Sequence, residues 1–380
     1  MRIAMVAGEA SGDLLASHLI EALRARYPDA EFCGIGGPRM IAAGFDAWWP
    51  AERLAVMGYV DVFKRLPELL RIRRALMSRL LADPPDVFIG VDAPDFNLGV
   101  ELRLRRAGVR TIHYVSPSIW AWRGGRVKGI GRAAGHVMCL FPFEPEIYAR
   151  HGIPASFVGH PLADVFPLED CQATVREGLQ IAPGTEVVAV LPGSREGEVG
   201  RLAETYVQAM RQLAFMRPDV LFLVPLITRA TRDLFTTALY AEGAQTLNVR
   251  LMFGHAHEAM AAADVVLVAS GTATLEAALL KRPMVIAYKV GGMTYRLAKW
   301  LTYLPWVGLP NILAREFLVP ELLQQDATPD KLAAALAKWL DEPSARKAVQ
   351  ARFADIHAQL RQNNAERAAA VVAQVMERAG

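Results

Sequence analysis

The stretch Asp86-Val87-Phe88-Ile89-Gly90-Val91-Asp92-Ala93-Pro94-Asp95-Phe96-Asn97 decides how the chain reads. An apolar run too short for a helix ends in a carboxylate, and Pro94 opens a new segment. A run that is apolar at every position fits a strand buried on both faces, as in a parallel sheet covered by helices. Asp92 then falls at the carboxyl end of the strand, the edge where open α/β sheets bind ligands. A carboxylate there can take a proton from an attacking hydroxyl, which makes Asp92 a candidate catalytic base. Asp95 and Asn97, at the start of the next helical run, read as helix caps.

The same pattern recurs outward in both directions. Short apolar runs at 3–7, 110–115 and 137–141, and again at 187–191, 220–224, 265–269 and 284–288, alternate with helical periodicity. That is the mark of parallel sheets with crossover helices. The pattern restarts after a polar, Pro-bearing stretch at 161–184, and 380 residues exceed what a single core usually supports. The expected division is 1–168, 169–345 and a helical tail at 346–380.

Composition narrows the class. Hydrophobic residues make up 53% of the chain against 21% charged, and the mean hydropathy of +0.20 is high for a soluble enzyme. No run of about 18 apolar residues occurs; the best candidate, 265–280, is broken by Ser270, Gly271, Thr272, Thr274 and Glu276. The N-terminus has no basic, apolar and small-residue leader pattern, and Cys33, Cys139 and Cys171 form no C-x-x-C pair. A cytoplasmic address with reduced thiols is expected. A net charge of +3 is too small to argue for nucleic acid.

Several loops after the apolar runs carry chemistry. Gly8-Glu9-Ala10-Ser11-Gly12-Asp13 lets the backbone turn sharply and offers N–H groups to an anion or a sugar, although it lacks the ending of a P-loop. Gly34-Ile35-Gly36-Gly37 lacks the third glycine of a dinucleotide site and reads as a plain turn. Trp120, Trp122 and Arg123 can line a sugar or lipid cleft. Leu191-Pro192-Gly193-Ser194-Arg195 aims N–H groups and a guanidinium at one point, which suits a departing diphosphate. Ser270, Gly271, Thr272 and Thr274 form a small-residue turn suited to phosphate, and Glu276 can accept from two vicinal ribose hydroxyls. Asn311 can place an amide beside them. There is no D-x-D or H-E-x-x-H, and His255 and His257 read as a cap or solvated pair, so no metal is expected.

Two stretches suggest a lipid surface. Lys64, Arg65, Arg71, Arg73, Arg74 and Arg79 interleave with Val62, Phe63, Leu66 and Leu69, the pattern of a basic amphipathic helix. Residues 293–306 mix Tyr295, Arg296, Lys299, Trp300 and Tyr303 as interfacial belts do. Core packing against a sheet explains the first stretch equally well.

Together these runs, in order, with His113-Tyr114-Val115-Ser116-Pro117-Ser118-Ile119-Trp120-Ala121-Trp122-Arg123 the longest, resemble the lipid-A-disaccharide synthases along nearly the whole chain. The resemblance implies an α/β glycosyltransferase-B fold: two Rossmann-like domains facing across a cleft, with C-terminal helices packing back on the N-terminal domain. It implies an inverting glycosyltransferase joining UDP-2,3-diacylglucosamine to 2,3-diacylglucosamine 1-phosphate, giving a β-1',6-linked disaccharide and UDP without a cofactor. Under it Asp92 is the base, with Glu9 the alternative. Ser194, Arg195, Ser270, Gly271, Thr272, Thr274, Glu276 and Asn311 hold the nucleotide, and Gly12, Ser116, Trp120, Trp122, Arg123, Val62, Phe63, Leu66, Leu69 and Trp300 contact acceptor or lipid. The implied partners are those two substrates and an anionic membrane, on the cytoplasmic face of the inner membrane, with a homodimer left open. The rival readings are a UDP-N-acetylglucosamine 2-epimerase of the same fold and a non-catalytic nucleotide-binding protein.

Overall fold

The structure, a computed structural model, describes residues 1–54, 59–120, 124–291 and 304–377, without the side chains of residues 59–65. It separates into two compact units, one formed by Met1–Asp164 with Leu360–Gly380 and the other by Val165–Gln359. The sequence reading drew these divisions at 168/169 and 345/346.

The first unit runs β1 (Arg2–Ala7), α1 (Ala10–Arg26), β2 (Glu31–Gly36), α2 (Pro38–Ala42), β3 (Asp46–Pro50), α3 (Tyr59–Ala82), β4 (Val87–Val91), α4 (Pro94–Arg106), β5 (Arg110–Tyr114), α5 (Val127–Ala133), β6 (His136–Cys139), α6 (Glu144–Ala149) and β7 (Ala155–Phe157). Its seven strands are parallel in the order β3-β2-β1-β4-β5-β6-β7. Successive side chains of a strand point to opposite faces, and the cores show it. Ile3 and Met5 join Leu15, Leu19 and Ile20 of α1 on one face. Ala4 and Val6 join Ile72, Leu76 and Leu80 of α3 with Val100 and Leu104 of α4 on the other.

The second half of α3 is thus largely a core helix, with Leu76 and Leu80 buried and Leu81 exposed. The last helix, Asn364–Glu377, also belongs to this unit, packing Ala368, Ala369 and Val372 into the α1 core. Asn364 fixes its start: the Tyr114 hydroxyl donates to Oδ1 at 2.6 Å, Nδ2 donates to the Gly159 carbonyl at 2.9 Å, and its own N–H donates to Asp164 at 2.6 Å.

A short helix, α7 (Pro161–Val165), spans the division. The second unit then runs α8 (Gln172–Gly178), β8 (Val187–Leu191), α9 (Glu196–Met216), β9 (Leu221–Leu226), α10 (Arg229–Ala241), β10 (Val249–Phe253), α11 (Ala256–Ala262), β11 (Val265–Ala269), α12 (Thr272–Leu279), β12 (Met284–Tyr288) and β13 (Glu321–Leu323). Its strands are parallel in the order β10-β9-β8-β11-β12-β13. Val188, Val190 and Phe222 meet Leu202, Tyr206 and Met210 of α9 in its core.

The stretch 161–184, read as a polar divider, holds α7 and α8. Arg176 docks α8 on the second unit by donating to the Ala262 carbonyl at 2.7 Å and to Asp264 at 2.8 Å. Among the described residues, no helix is long and apolar enough to cross a membrane. Strand order reverses between β1 and β4 in one sheet and between β8 and β11 in the other, the places where α/β sheets open a crevice at their carboxyl ends.

Candidate functional site

Each unit carries a pocket at that edge. In the first, Asp92, Pro94, Asp95, Val115, Ser116, Pro117, Ser118, Ile119 and Arg126 line a cavity of about 370 Å³. Asp92 follows β4 directly and donates its N–H to the Tyr114 carbonyl at 2.8 Å. The backbone here is strained, because Asp92, Ala93 and Val115 have φ of 52°, 43° and 80°. Left-handed backbone at a β-branched residue is rare and persists only where the surroundings over-determine it.

Asn97 helps hold the turn. It is fully buried, and its Nδ2 donates to the carbonyls of Asp92 at 2.8 Å and Val6 at 3.2 Å. Asn97 is therefore not the helix cap expected, and neither is Asp95, because Ala93 occupies the cap position of α4 without a side-chain bond. Asp95 instead accepts from Arg126 Nη2 at 2.6 Å.

The loop after β1 lies beside this turn, since a Cβ on Gly8 would sit 3.2 Å from Ala93 Cβ. Glu9 is exposed at the cap position of α1, makes no capping bond and is not among the residues lining the pocket. Gly12 is buried against the sheet, where a Cβ would meet Ala7 and the Val91 carbonyl. The missing side chain lets the helix pack closely on the strand. Asp13 is structural too: buried, it accepts N–H bonds from Gly37, Arg39 and Met40 at 2.9–3.0 Å and so pins the start of α2.

Behind the pocket wall, α6 contributes Glu144, which is 2% exposed. It accepts from Trp120 Nε1 at 3.0 Å and from the Phe141 N–H at 2.9 Å, with the Ser116 hydroxyl a further partner. Burial pushes its carboxyl up to about 7, against the lowering effect of those donors. Trp120 packs edge-on against Phe141 and Phe143, so its indole is committed to the wall. Ser116 does line the cavity. Leu66 is exposed and Leu69 half-buried on α3. Trp122, Arg123, Trp300 and the side chains of Val62 and Phe63 lie outside the described residues.

In the second unit, a cavity of about 480 Å³ gathers Gly193, Ser194, Arg195 and Glu198 after β8, Ser270, Gly271, Thr272 and Glu276 after β11, and Tyr288 at the end of β12. Gly193 has φ 123°, and a Cβ there would come within 2.7 Å of Glu198 Cβ, so the turn admits glycine alone. The Ser194 N–H donates to Glu198 Oε2 at 3.2 Å and Arg195 pairs with Oε1 at 3.4 Å. Arg195 is 77% exposed and poised over the cavity with its charge only loosely engaged. Gly271 occupies the cap position of α12 without a side-chain bond. The first N–H groups of α12 therefore have no side-chain cap and suit an anion.

Two expected nucleotide ligands are misplaced. Thr274 is buried, donating to the Gly271 carbonyl at 2.7 Å and accepting from the Leu309 N–H at 3.3 Å. Asn311 is buried with its whole amide engaged: Nδ2 donates to the Val319 carbonyl and to Glu321, and Oδ1 accepts from the Val319 N–H. Thr274 holds the turn from behind through Gly271, and Asn311 ties its own helix to residues 319–321.

Three residues in or beside these pockets escaped the sequence. Arg126 lies just before α5 and Glu144 at the start of α6, outside the strand-end runs that mark the other site residues. His257 stands with Nε2 3.6 Å from Glu276 Oε2 and its ring edge-on to Phe166 at 4.9 Å; the Glu276 carboxylate raises its pKa. It is exposed, as expected of a solvated histidine, and is also a partner of Glu276.

Comparison with known proteins gives the lineage. A protein from Azoarcus sp. strain BH72, a lipid-A-disaccharide synthase, is 63% identical over 371 residues, 98% of this chain and 95% of its own. Among solved structures, the UDP-GlcNAc 2-epimerase of Neisseria meningitidis, bound to UDP-GlcNAc, aligns with a TM-score of 0.64 at 13% identity over 100% of both chains. The glycotransferase of kitacinnamycin aligns with a TM-score of 0.61 at 17% identity over 98% of each chain. At those identities the two structures bear on the fold alone, two Rossmann-like units each built on a parallel sheet. The family model of lipid-A-disaccharide synthetase matches residues 3–375, and the chain belongs to the lipid-A-disaccharide synthase family.

Proposed function

We propose that the chain transfers 2,3-diacylglucosamine from its UDP carrier to the 6-hydroxyl of 2,3-diacylglucosamine 1-phosphate, with the first unit serving the acceptor and the second the donor. Membership of the family carries the overall reaction. In a single displacement, Asp92 takes the 6-hydroxyl proton as that oxygen bonds to the anomeric carbon, and the bond from that carbon to the diphosphate breaks on the opposite face. The configuration inverts and UDP leaves. Arg195 and the N–H groups of the 270–272 turn meet the charge that grows on the departing diphosphate, while Glu276, steadied by His257, accepts from the ribose hydroxyls.

The observation that carries these roles is the convergence of a guanidinium, an uncapped helix start and a carboxylate on one cavity of the second unit. An anion and a vicinal diol are what such a set binds. On the acceptor side, Asp92 is half-buried at a strand end on a turn that Asn97 holds. The first unit also has Leu66, Arg71 and Arg74 of α3 exposed, as the surface that meets an anionic membrane.

Incubating the protein with both lipids and weighing the products by mass spectrometry tests the reaction. A disaccharide 1-phosphate is expected; UDP bound with no product, or epimerised UDP-N-acetylglucosamine without acceptor, would reject it. Asp92→Asn should bind UDP normally and lower kcat by roughly 10²-fold or more. Near-normal turnover in that variant would remove Asp92 from its role.

A further inference from the structure

We propose that Arg126 recognises the 1-phosphate of the acceptor, exchanging its ion pair with Asp95 for a two-pronged grip on the phosphate; this rests on the acceptor reading of the Asp92 pocket given above. Of the described residues lining that cavity, Arg126 is the one cation, and it shares the cavity with two carboxylates, Asp92 and Asp95. Such a balance repels a phosphate dianion unless the guanidinium turns to it, because like charges a few ångströms apart cost energy in a partly enclosed space. An acceptor that must bring its 6-hydroxyl to Asp92 while carrying a phosphate needs that cation.

The present partner of Arg126 suits exchange. Arg126 Nη2 donates to Asp95 Oδ1 at 2.6 Å, yet the Asp95 side chain is 85% exposed and that of Arg126 only 32%. An exposed carboxylate regains its water when released, and such pairs contribute little to stability. A phosphate offers three acceptor oxygens and a second charge to a planar fork that matches its geometry. The arginine's own position is fixed, because Val127 and Ile130, which follow it on α5, are buried in a core with Val137 and Tyr148. Asp95 thereby acts as a placeholder that keeps the fork extended over the pocket until the phosphate arrives. Ser118, exposed and also lining the cavity, offers a hydroxyl to the sugar, whereas the Ser116 hydroxyl is engaged by Tyr148 and Glu144.

The test compares two acceptors, 2,3-diacylglucosamine 1-phosphate and the same sugar with a free 1-hydroxyl, in wild type, Arg126→Gln and Arg126→Lys at saturating donor. Wild type should prefer the phosphorylated acceptor in kcat/KM by on the order of tenfold to a hundredfold, as expected for a charged hydrogen-bonded pair. Arg126→Gln should lose most of that preference through the acceptor KM, leaving the donor KM unchanged, and Arg126→Lys should keep part of it. A preference retained in Arg126→Gln overturns the assignment. Should that variant not fold, soluble glucosamine 1-phosphate serves as the probe in wild type: competition against the acceptor is expected from it and not from glucosamine, and equal inhibition by both rejects the phosphate grip. Disaccharide formed equally well from both acceptors leaves the proposed function standing and removes Arg126 from this role. Disaccharide formed from neither removes the proposed function, and this inference with it.

Discussion

Burial governs the chemistry of Glu144 more than its hydrogen bonds do. Four donors reach its carboxylate, yet no cation is among the partners that tune it, and the loss of water pushes its titration from 4.5 up to about 7. The folded state thus holds a proton that the unfolded chain has already released, between about pH 4.5 and 7. Stability must fall as the pH rises through that window. Glu144→Gln cannot ionise, so its urea midpoints should stay flatter from pH 4.5 to 8 than those of wild type, the difference reaching about 3 kcal/mol at most. Parallel curves would show that Glu144 stays charged in the fold. The same residue shows why sequence reveals part of a site. Asp92 was legible because it interrupts an apolar run, a contrast visible locally. Glu144, Arg126 and His257 have no local contrast, and their roles come from partners 24, 31 and 19 residues away. Thr274 and Asn311 failed in the opposite sense, because a polar residue in the first turn of a helix looks the same in sequence whether it faces a cavity or the core.

Among elements, α3 divides along its length. Ile72, Leu76, Met77 and Leu80 are buried in the sheet core, and Arg79 lies over the Trp48 ring at 3.9 Å, so this half is structural. Leu66, Arg71 and Arg74 remain exposed, and they carry the membrane reading. Each basic residue near an anionic surface contributes about 1 kcal/mol, screened by salt. Arg71→Glu with Arg74→Glu should weaken sedimentation with anionic vesicles at low salt by on the order of tenfold or more, and high salt should abolish the difference. Binding that ignores both charge and salt would leave the helix without this role. Strands follow a similar logic. The central runs, such as Val187–Leu191 and Val265–Ala269, are legible because both faces are covered and every position is apolar. The edge strands β3, β10 and β13 are only half-buried and have no such run. β2 is buried but glycine-bearing, since a Cβ at Gly34 would overlap the Met5 carbonyl oxygen, and its apolar signal is thinned for that reason.

At the scale of the whole molecule, the chain crosses from the first unit to the second and returns at Leu360. Asn364 is the residue on which the return depends. Its side chain joins Tyr114 of β5 to the Gly159 carbonyl, while Asp164 gathers the N–H groups of Gln362, Asn363 and Asn364. Replacing Asn364 with Ala strips partners from a buried tyrosine hydroxyl and a buried carbonyl, and each such orphan costs about 1–3 kcal/mol. The loss falls on the first unit alone, because all of these partners lie within it. A ligand stabilises the unit that binds it, so UDP should raise the melting of the second unit and leave the first where it was. Calorimetry of Asn364→Ala is therefore expected to show the transition that ignores UDP lowered by roughly 5 °C, with the transition that responds to UDP unmoved. If a single transition shifted as a whole with both the substitution and UDP, the two units would be melting as one, and the separate cores on which the division rests would not be independent in stability.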